Sequence, residues 1–132
     1  MTEHTQISIA THSKSEMINV TDSVRGAIRE KGITTGYVHV FVPHTTAAVT
    51  INENADPDVC TDIVRGLNRI VPESGYDHAE GNSPAHIKSS LIGVHTRVEI
   101  DRGALVLGTW QGIFFCEFDG PRQRKFYISF HP

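Results

Sequence analysis

Between residue 96 and the end of the chain, four short runs that read as β-strands follow one another with little but turns between them. The runs are Thr96 to Ile100, Ala104 to Leu107, Gly112 to Phe118 and Lys125 to Phe130. Asp101-Arg102-Gly103 and Asp119-Gly120-Pro121-Arg122 supply the turn chemistry. Connections this short cannot hold a crossover helix, so the strands they join pair mostly antiparallel. The 132 residues make one domain spanning the whole chain, and a (β/α)₈ barrel, which needs at least about 200 residues, is excluded. With 39% hydrophobic and 20% charged residues, the chain is of the folding rather than the disordered type.

Upstream, strands alternate with helical patterns. Gln6 to Thr11 alternates with period 2, and Glu16 to Val20 reads as a second short strand paired with it. Thr21 suits a helix N-cap and Gly32 the corresponding stop, with Val24, Ala27 and Ile28 as the apolar stripe between them. Gly36 to Val42 and Ala47 to Ile51 are apolar strands. Asp56-Pro57 opens a helix that carries Val59, Ile63, Leu67 and Ile70 and ends before Pro72. A polar loop, Glu73 to Asn82, leads to a second cap-plus-proline signal, Ser83-Pro84, and a short helix ending at Gly93. The expected architecture is α+β: a two-layer β-sheet core of six to eight mostly antiparallel strands, with two longer helices and one short one.

The formal charge is −3, which is not the footprint of a general nucleic-acid binder. No apolar stretch approaches about 20 residues, and the N-terminus has no hydrophobic signal core, so the expectation is a soluble cytoplasmic protein with no membrane partner. Cys60 and Cys116 lie in apolar runs in no paired motif, as buried reduced thiols do.

Histidine is the outlier, with 8 copies. His44 follows a strand, His78 sits in the polar loop, and His86 lies in the first turn of the Ser83 helix. Their intervals of 34 and 8 residues exclude the four-residue step that puts two ligands on one helical face. Gathered by folding, three imidazoles would suit a divalent ion with one open position; three unrelated surface or capping histidines would fit the spacing equally well. His39, alternating with valines, reads as a hydrogen-bonded structural residue, and His4, His12 and His131 read as exposed. Glu53, between Asn52 and Asn54, is a candidate general base or a carboxylate that orients an imidazole. Arg122, Arg124 and Lys125 present cations beside Asp119, with Lys88 and the Ser83 helix start as a second anion-binding surface. Thr45 and Thr46 offer hydroxyls beside His44.

Three stretches, FVPHTTAAVTINENADPDV, YDHAEGNSPAHIKSSLIG and GALVLGTWQGIFFCEFDGPRQRK, resemble the YjbQ-like family, also named the secondary thiamine-phosphate synthase family. The resemblance runs from about Ile7 to Phe130. It implies homotrimers of α+β subunits, with His44, His78 and His86 lining a metal-associated pocket (zinc, or else magnesium). Glu53, Asn82, Asp119 and Arg122 match polar positions near that pocket. The implied activity joins a pyrimidine pyrophosphate to a thiazole phosphate and releases pyrophosphate. In that scheme Glu53, Asp119 and Arg122 act on the substrate, while Thr45, Asn82, Lys88 and Arg124 hold its phosphates. A metal-dependent hydrolase of a small phosphorylated or carboxylated substrate, and a non-catalytic metabolite-binding trimer, are the alternative expectations.

Overall fold

Period-2 patterning and short connections resolve into two antiparallel sheets. The structure, a computed structural model, describes residues 3–132. Its elements are β1 (His4–Ala10), β2 (Glu16–Asn19), α1 (Thr21–Lys31), β3 (Thr35–Phe41), β4 (Ala47–Glu53), α2 (Pro57–Ile70), α3 (Ser83–Ile92), β5 (His95–Asp101), β6 (Ala104–Leu105), β7 (Gln111–Glu117) and β8 (Gln123–His131). One sheet has the order β1-β8-β3-β5-β6 and the other β2-β7-β4.

The two sheets face each other across the main core. Val38, Val40, Val98, Ile100, Phe126 and Ile128 project from the larger sheet. They meet Ala47, Val49, Ile113 and Phe115 of the smaller one, and Val24, Ala27 and Ile28 of α1 complete the cluster. On the other face of the three-stranded sheet, Ala48, Cys116 and Phe118 pack with Leu67 of α2 and Ala85 of α3. Alternate residues of β4 and β7 therefore serve two different cores, which is why Ala47 to Val49 and Ile113 to Cys116 are unbroken apolar runs.

Several expectations at the element level are corrected. β1 pairs with β8, and β2 pairs with β7 in the other sheet. The segment between β1 and β2 crosses from one sheet to the other instead of closing a hairpin. Glu16 Oε2 accepts the backbone N–H of Ser13 at 2.8 Å, and Thr11 N–H donates to the Arg122 carbonyl at 3.0 Å. Thr21 is the first helical residue and does not cap α1. Its hydroxyl donates to Asn19 Oδ1 at 2.6 Å and accepts the Ile113 N–H at 2.9 Å, tying the helix start to β7. Asn82, not Ser83, occupies the cap position of α3. β4 extends through Asn52 and Glu53, β6 is only two residues long, and β8 begins at Gln123. Asp56 caps α2 as expected, accepting the Asp58 N–H at 2.9 Å, and Gly32 ends α1 in the left-handed region.

Candidate functional site

The turn between β7 and β8 carries the chain from one sheet to the other, and the site is organised around how that turn is held. Glu117, the last residue of β7, is completely buried. An isolated buried carboxylate would be prohibitively costly, so it needs donors. Arg124 Nε donates to Glu117 Oε1 at 2.9 Å, and a second guanidinium nitrogen donates to Oε2. The Thr11 hydroxyl donates to Oε1 at 2.7 Å, and the Phe118 and Asp119 amides donate to Oε2 at 3.1 and 3.0 Å. Burial pushes the Glu117 carboxyl upward, but these hydrogen bonds outweigh it and its pKa lies below the ordinary value. Arg124 also donates to the Thr46 hydroxyl at 2.8 Å, which joins the turn to the segment after β3.

This anchoring fixes the start of the turn. Arg122 folds back on Asp119, donating from Nε to the Asp119 carbonyl at 2.8 Å and pairing with Oδ2 at 3.1 Å. Asn82 Nδ2 donates to Asp119 Oδ2 at 3.0 Å and to Glu80 Oε2 at 3.1 Å. The polar loop is thereby latched to the turn.

The result is a cleft of about 480 Å³ lined by Pro43 to Thr46, by His78, Glu80, Asn82 and His86, and by Asp119, Arg122 and Arg124. His44, Thr45, His78, Asn82, His86, Asp119, Arg122 and Arg124, eight of the residues singled out in the sequence, meet here from three distant stretches. The rings of His78 and His86 stand edge to face with centroids 5.7 Å apart. His44 Nε2 lies 3.1 Å from both the N and the O of Lys125. Burial, followed by the charge of Arg124, lowers its pKa, so it is neutral at pH 7.

Two candidates lie elsewhere. Glu53, at the end of β4, faces Asp56, Pro57 and Trp110 in a separate depression. Lys88 is buried behind the partition formed by Asn82 and Asp119, where its ammonium donates to Asn68 Oδ1. Burial lowers its pKa. Arg124 does line the cleft, but its side chain is buried and its donors are directed at Glu117 and Thr46. The sequence pattern places it on a hairpin tip. Because β8 starts two residues earlier, Arg124 shares the inward parity of Phe126 and Ile128. Asn54 is held by the Gln111 carbonyl at 3.1 Å.

Glu117 and Glu80 are site residues that the sequence pattern does not single out. A signal for Glu117 is nevertheless present: a carboxylate inside the run Gly-Ile-Phe-Phe-Cys-Glu-Phe calls for a buried cation, and arginines follow within seven residues. Both cysteines are unpaired, and burial raises the Cys116 thiol to about 12. His131 is half-buried within β8, and is not the exposed terminal residue expected.

Fold and cleft together define a two-sheet α+β domain with a histidine- and arginine-lined cleft at a sheet-to-sheet turn. The chain belongs to the family described as UPF0047 protein YjbQ-like, which matches residues 5–132. It is 51% identical over 125 residues to the UPF0047 protein YugU of Bacillus subtilis (strain 168), covering 93% of this chain and 95% of that one. It is 50% identical over 122 residues to the UPF0047 protein MJ1081 of Methanocaldococcus jannaschii, covering 92% and 88%. Among solved structures, a YjbQ/UPF0047 protein from Clostridium acetobutylicum superposes with a TM-score of 0.94 at 49% identity, over 96% of this chain and 99% of that one. A protein of unknown function from Sulfolobus solfataricus gives 0.92 at 30% identity, over 98% and 96%.

These findings overturn the thiamine-phosphate synthase expectation. These relatives carry UPF0047 names or are described as of unknown function, and none of them is named for that activity. Among the described residues, moreover, no three histidine, cysteine or acidic side chains are grouped so as to hold a metal ion. The expected hydrolase rested on the same shared ion. No helix among the described residues is long and apolar enough to cross a membrane.

Proposed function

We propose that the cleft binds a small phosphorylated or carboxylated metabolite, with Arg122, His78 and His86 as its anion contacts. One observation carries this reading: several donors that line the cleft have no protein partner, among acceptors of which Asn82 Oδ1 alone is buried and unpaired among the described residues. Asp119 Oδ2 accepts from Arg122 and Asn82, and Glu80 Oε2 accepts from Asn82. No protein group takes a ring nitrogen of His78 or His86 among the described hydrogen bonds, nor Nη1 of the half-exposed Arg122 guanidinium. A planar guanidinium flanked by imidazoles matches the oxygens of an anion.

A zinc or magnesium ion, implied by the family resemblance, forms no step of this reading. Holding one would require the rings to draw together, because no three histidine, cysteine or acidic side chains are grouped for an ion among the described residues. The reading places the protein in the cytoplasm, where a reducing setting suits two unpaired cysteines. It also takes the working form to be the homotrimer that the resemblance implies.

Thermal unfolding with inorganic phosphate or pyrophosphate, against chloride at matched ionic strength, tests the site. The expected outcome is a concentration-dependent rise in Tm. The rise should shrink in Arg122→Ala and His86→Ala, each losing a charge-assisted contact worth about 1.5–3 kcal/mol. An equal rise in the double variant would place the anion elsewhere.

A further inference from the structure

A second group of imidazoles lies on the outer face of the five-stranded sheet, away from the cleft. Register puts it there. On β3, His39 sits opposite Arg97 of β5 and Ser129 of β8; Phe41 faces His95, and Tyr37 faces His131. Side chains two residues apart share a face, so His39, His95 and His131 emerge together from three neighbouring strands. The inward positions between them are Val38, Val40, Val98 and Ile128, all in the core.

The three rings are not equivalent. His39 Nε2 and His95 Nδ1 are 3.4 Å apart, with ring centroids 5.3 Å apart and planes inclined by 44°. The His131 ring stands edge-on to His39 at 6.4 Å, and its Nε2 lies 2.9 Å from the Ser129 hydroxyl. For a hydrogen bond between two imidazoles, 3.4 Å is long. It is, however, the edge length of a tetrahedral site, because two metal–nitrogen bonds of about 2.0–2.1 Å at a tetrahedral angle separate their nitrogens by about 3.3–3.4 Å. We propose that His39 and His95 form a two-imidazole binding site for a divalent transition-metal ion, with water completing its coordination.

The surroundings favour this use. Half-burial of His39, followed by the charges of His95 and His131, lowers its pKa, so its lone pair is available at neutral pH. His95 is exposed and can turn toward an incoming ion. The nearby cation, Arg97, is already compensated: it pairs with Glu99 at 2.9 Å and lies over the Tyr37 ring at 3.9 Å. A shallow depression bounded by Tyr37, Thr96 and Arg97 admits the ion to both rings. Imidazole ligation selects copper, nickel and zinc over calcium and magnesium, and copper should bind most tightly.

Calorimetric titration of the full chain, without an affinity tag, with CuCl₂, NiCl₂ and ZnCl₂ tests the site, and electron paramagnetic resonance of the copper form reports its ligands. The expected result is one saturable site per chain, tightest for copper, with a two-nitrogen spectrum. His39→Gln and His95→Gln should each abolish it, while His86→Gln leaves it intact. Both positions lie on the outer face, and the exposed His95 carries the test if the His39 variant folds poorly. No saturable uptake at millimolar ion overturns the proposal, as does uptake unchanged in the double variant. Loss of uptake in His86→Gln instead would assign the ion to the cleft and also overturn it.

Discussion

At the scale of single residues, the pair formed by Glu117 and Arg124 governs both stability and site geometry. Neither side chain is more than 4% exposed, and removing one partner leaves the other charge buried without compensation. Glu117→Ala should therefore destabilise the protein by about 3–5 kcal/mol, measured by denaturant unfolding. Replacing both residues together with apolar side chains of similar volume should cost less than either single change. The pair also sets a pH dependence. Because the folded-state pKa of Glu117 is depressed, its contribution is complete above the unfolded carboxylate value and is lost as pH falls through the folded one. Glu117→Gln should flatten the acid limb of a plot of stability against pH. An acid limb identical to the parent's would show that the charge on Glu117 contributes nothing.

At the scale of elements, the β7–β8 turn and helix α2 respond oppositely to the same substitution. Gly120 packs against the segment between β1 and β2. A Cβ there would collide with the Ser13 carbonyl, approach Glu117 Cγ at 2.8 Å and the Thr11 hydroxyl at 2.9 Å. Gly120→Ala should cost about 1–3 kcal/mol and weaken the phosphate response as well, because Asp119 and Arg122 move with the turn. At Gly66, within α2, an added methyl group would have nothing within 4 Å. Gly66→Ala should accordingly stabilise by about 0.5–1 kcal/mol and leave the phosphate response unchanged. Paired Tm measurements check both; a destabilised Gly66→Ala would mean that α2 has less room than the backbone indicates.

How much of each element could be read locally follows from the same physics. Asp56 and Pro57 act through their own backbone, so the start of α2 was legible. Thr21 resembles a cap in sequence, yet its hydroxyl is claimed by Asn19 and by the Ile113 amide 92 residues away. β1 and β2 look like a hairpin because they are adjacent, whereas their alternation specifies only which face is apolar, not which strand lies beside it.

At the scale of the whole molecule, the apolar side chains that remain exposed bear on assembly. Ile70, Leu91, Val106 and Trp110 are each more than half exposed, and large exposed hydrophobics commonly mark contact surfaces when they gather into a patch. Light scattering on the eluting protein should give three copies per particle. Trp110→Glu should shift that mass downward if Trp110 lies within the contact, while the far-ultraviolet circular dichroism is retained. A monomeric mass for the unaltered chain would remove the homotrimer.

Local sequence was sufficient for the strand pattern, the proline-led starts of α2 and α3, the α+β class and the types of residue that populate the cleft. These depend on backbone preferences and on side-chain periodicity over a few neighbouring residues. Packing alone settled that Glu53 and Lys88 lie outside the cleft, that Arg124 turns inward to Glu117, and that His39 meets His95. Each of those outcomes depends on register between strands far apart in the chain. A shift of one residue reverses every side chain, and no short stretch of sequence encodes that alignment.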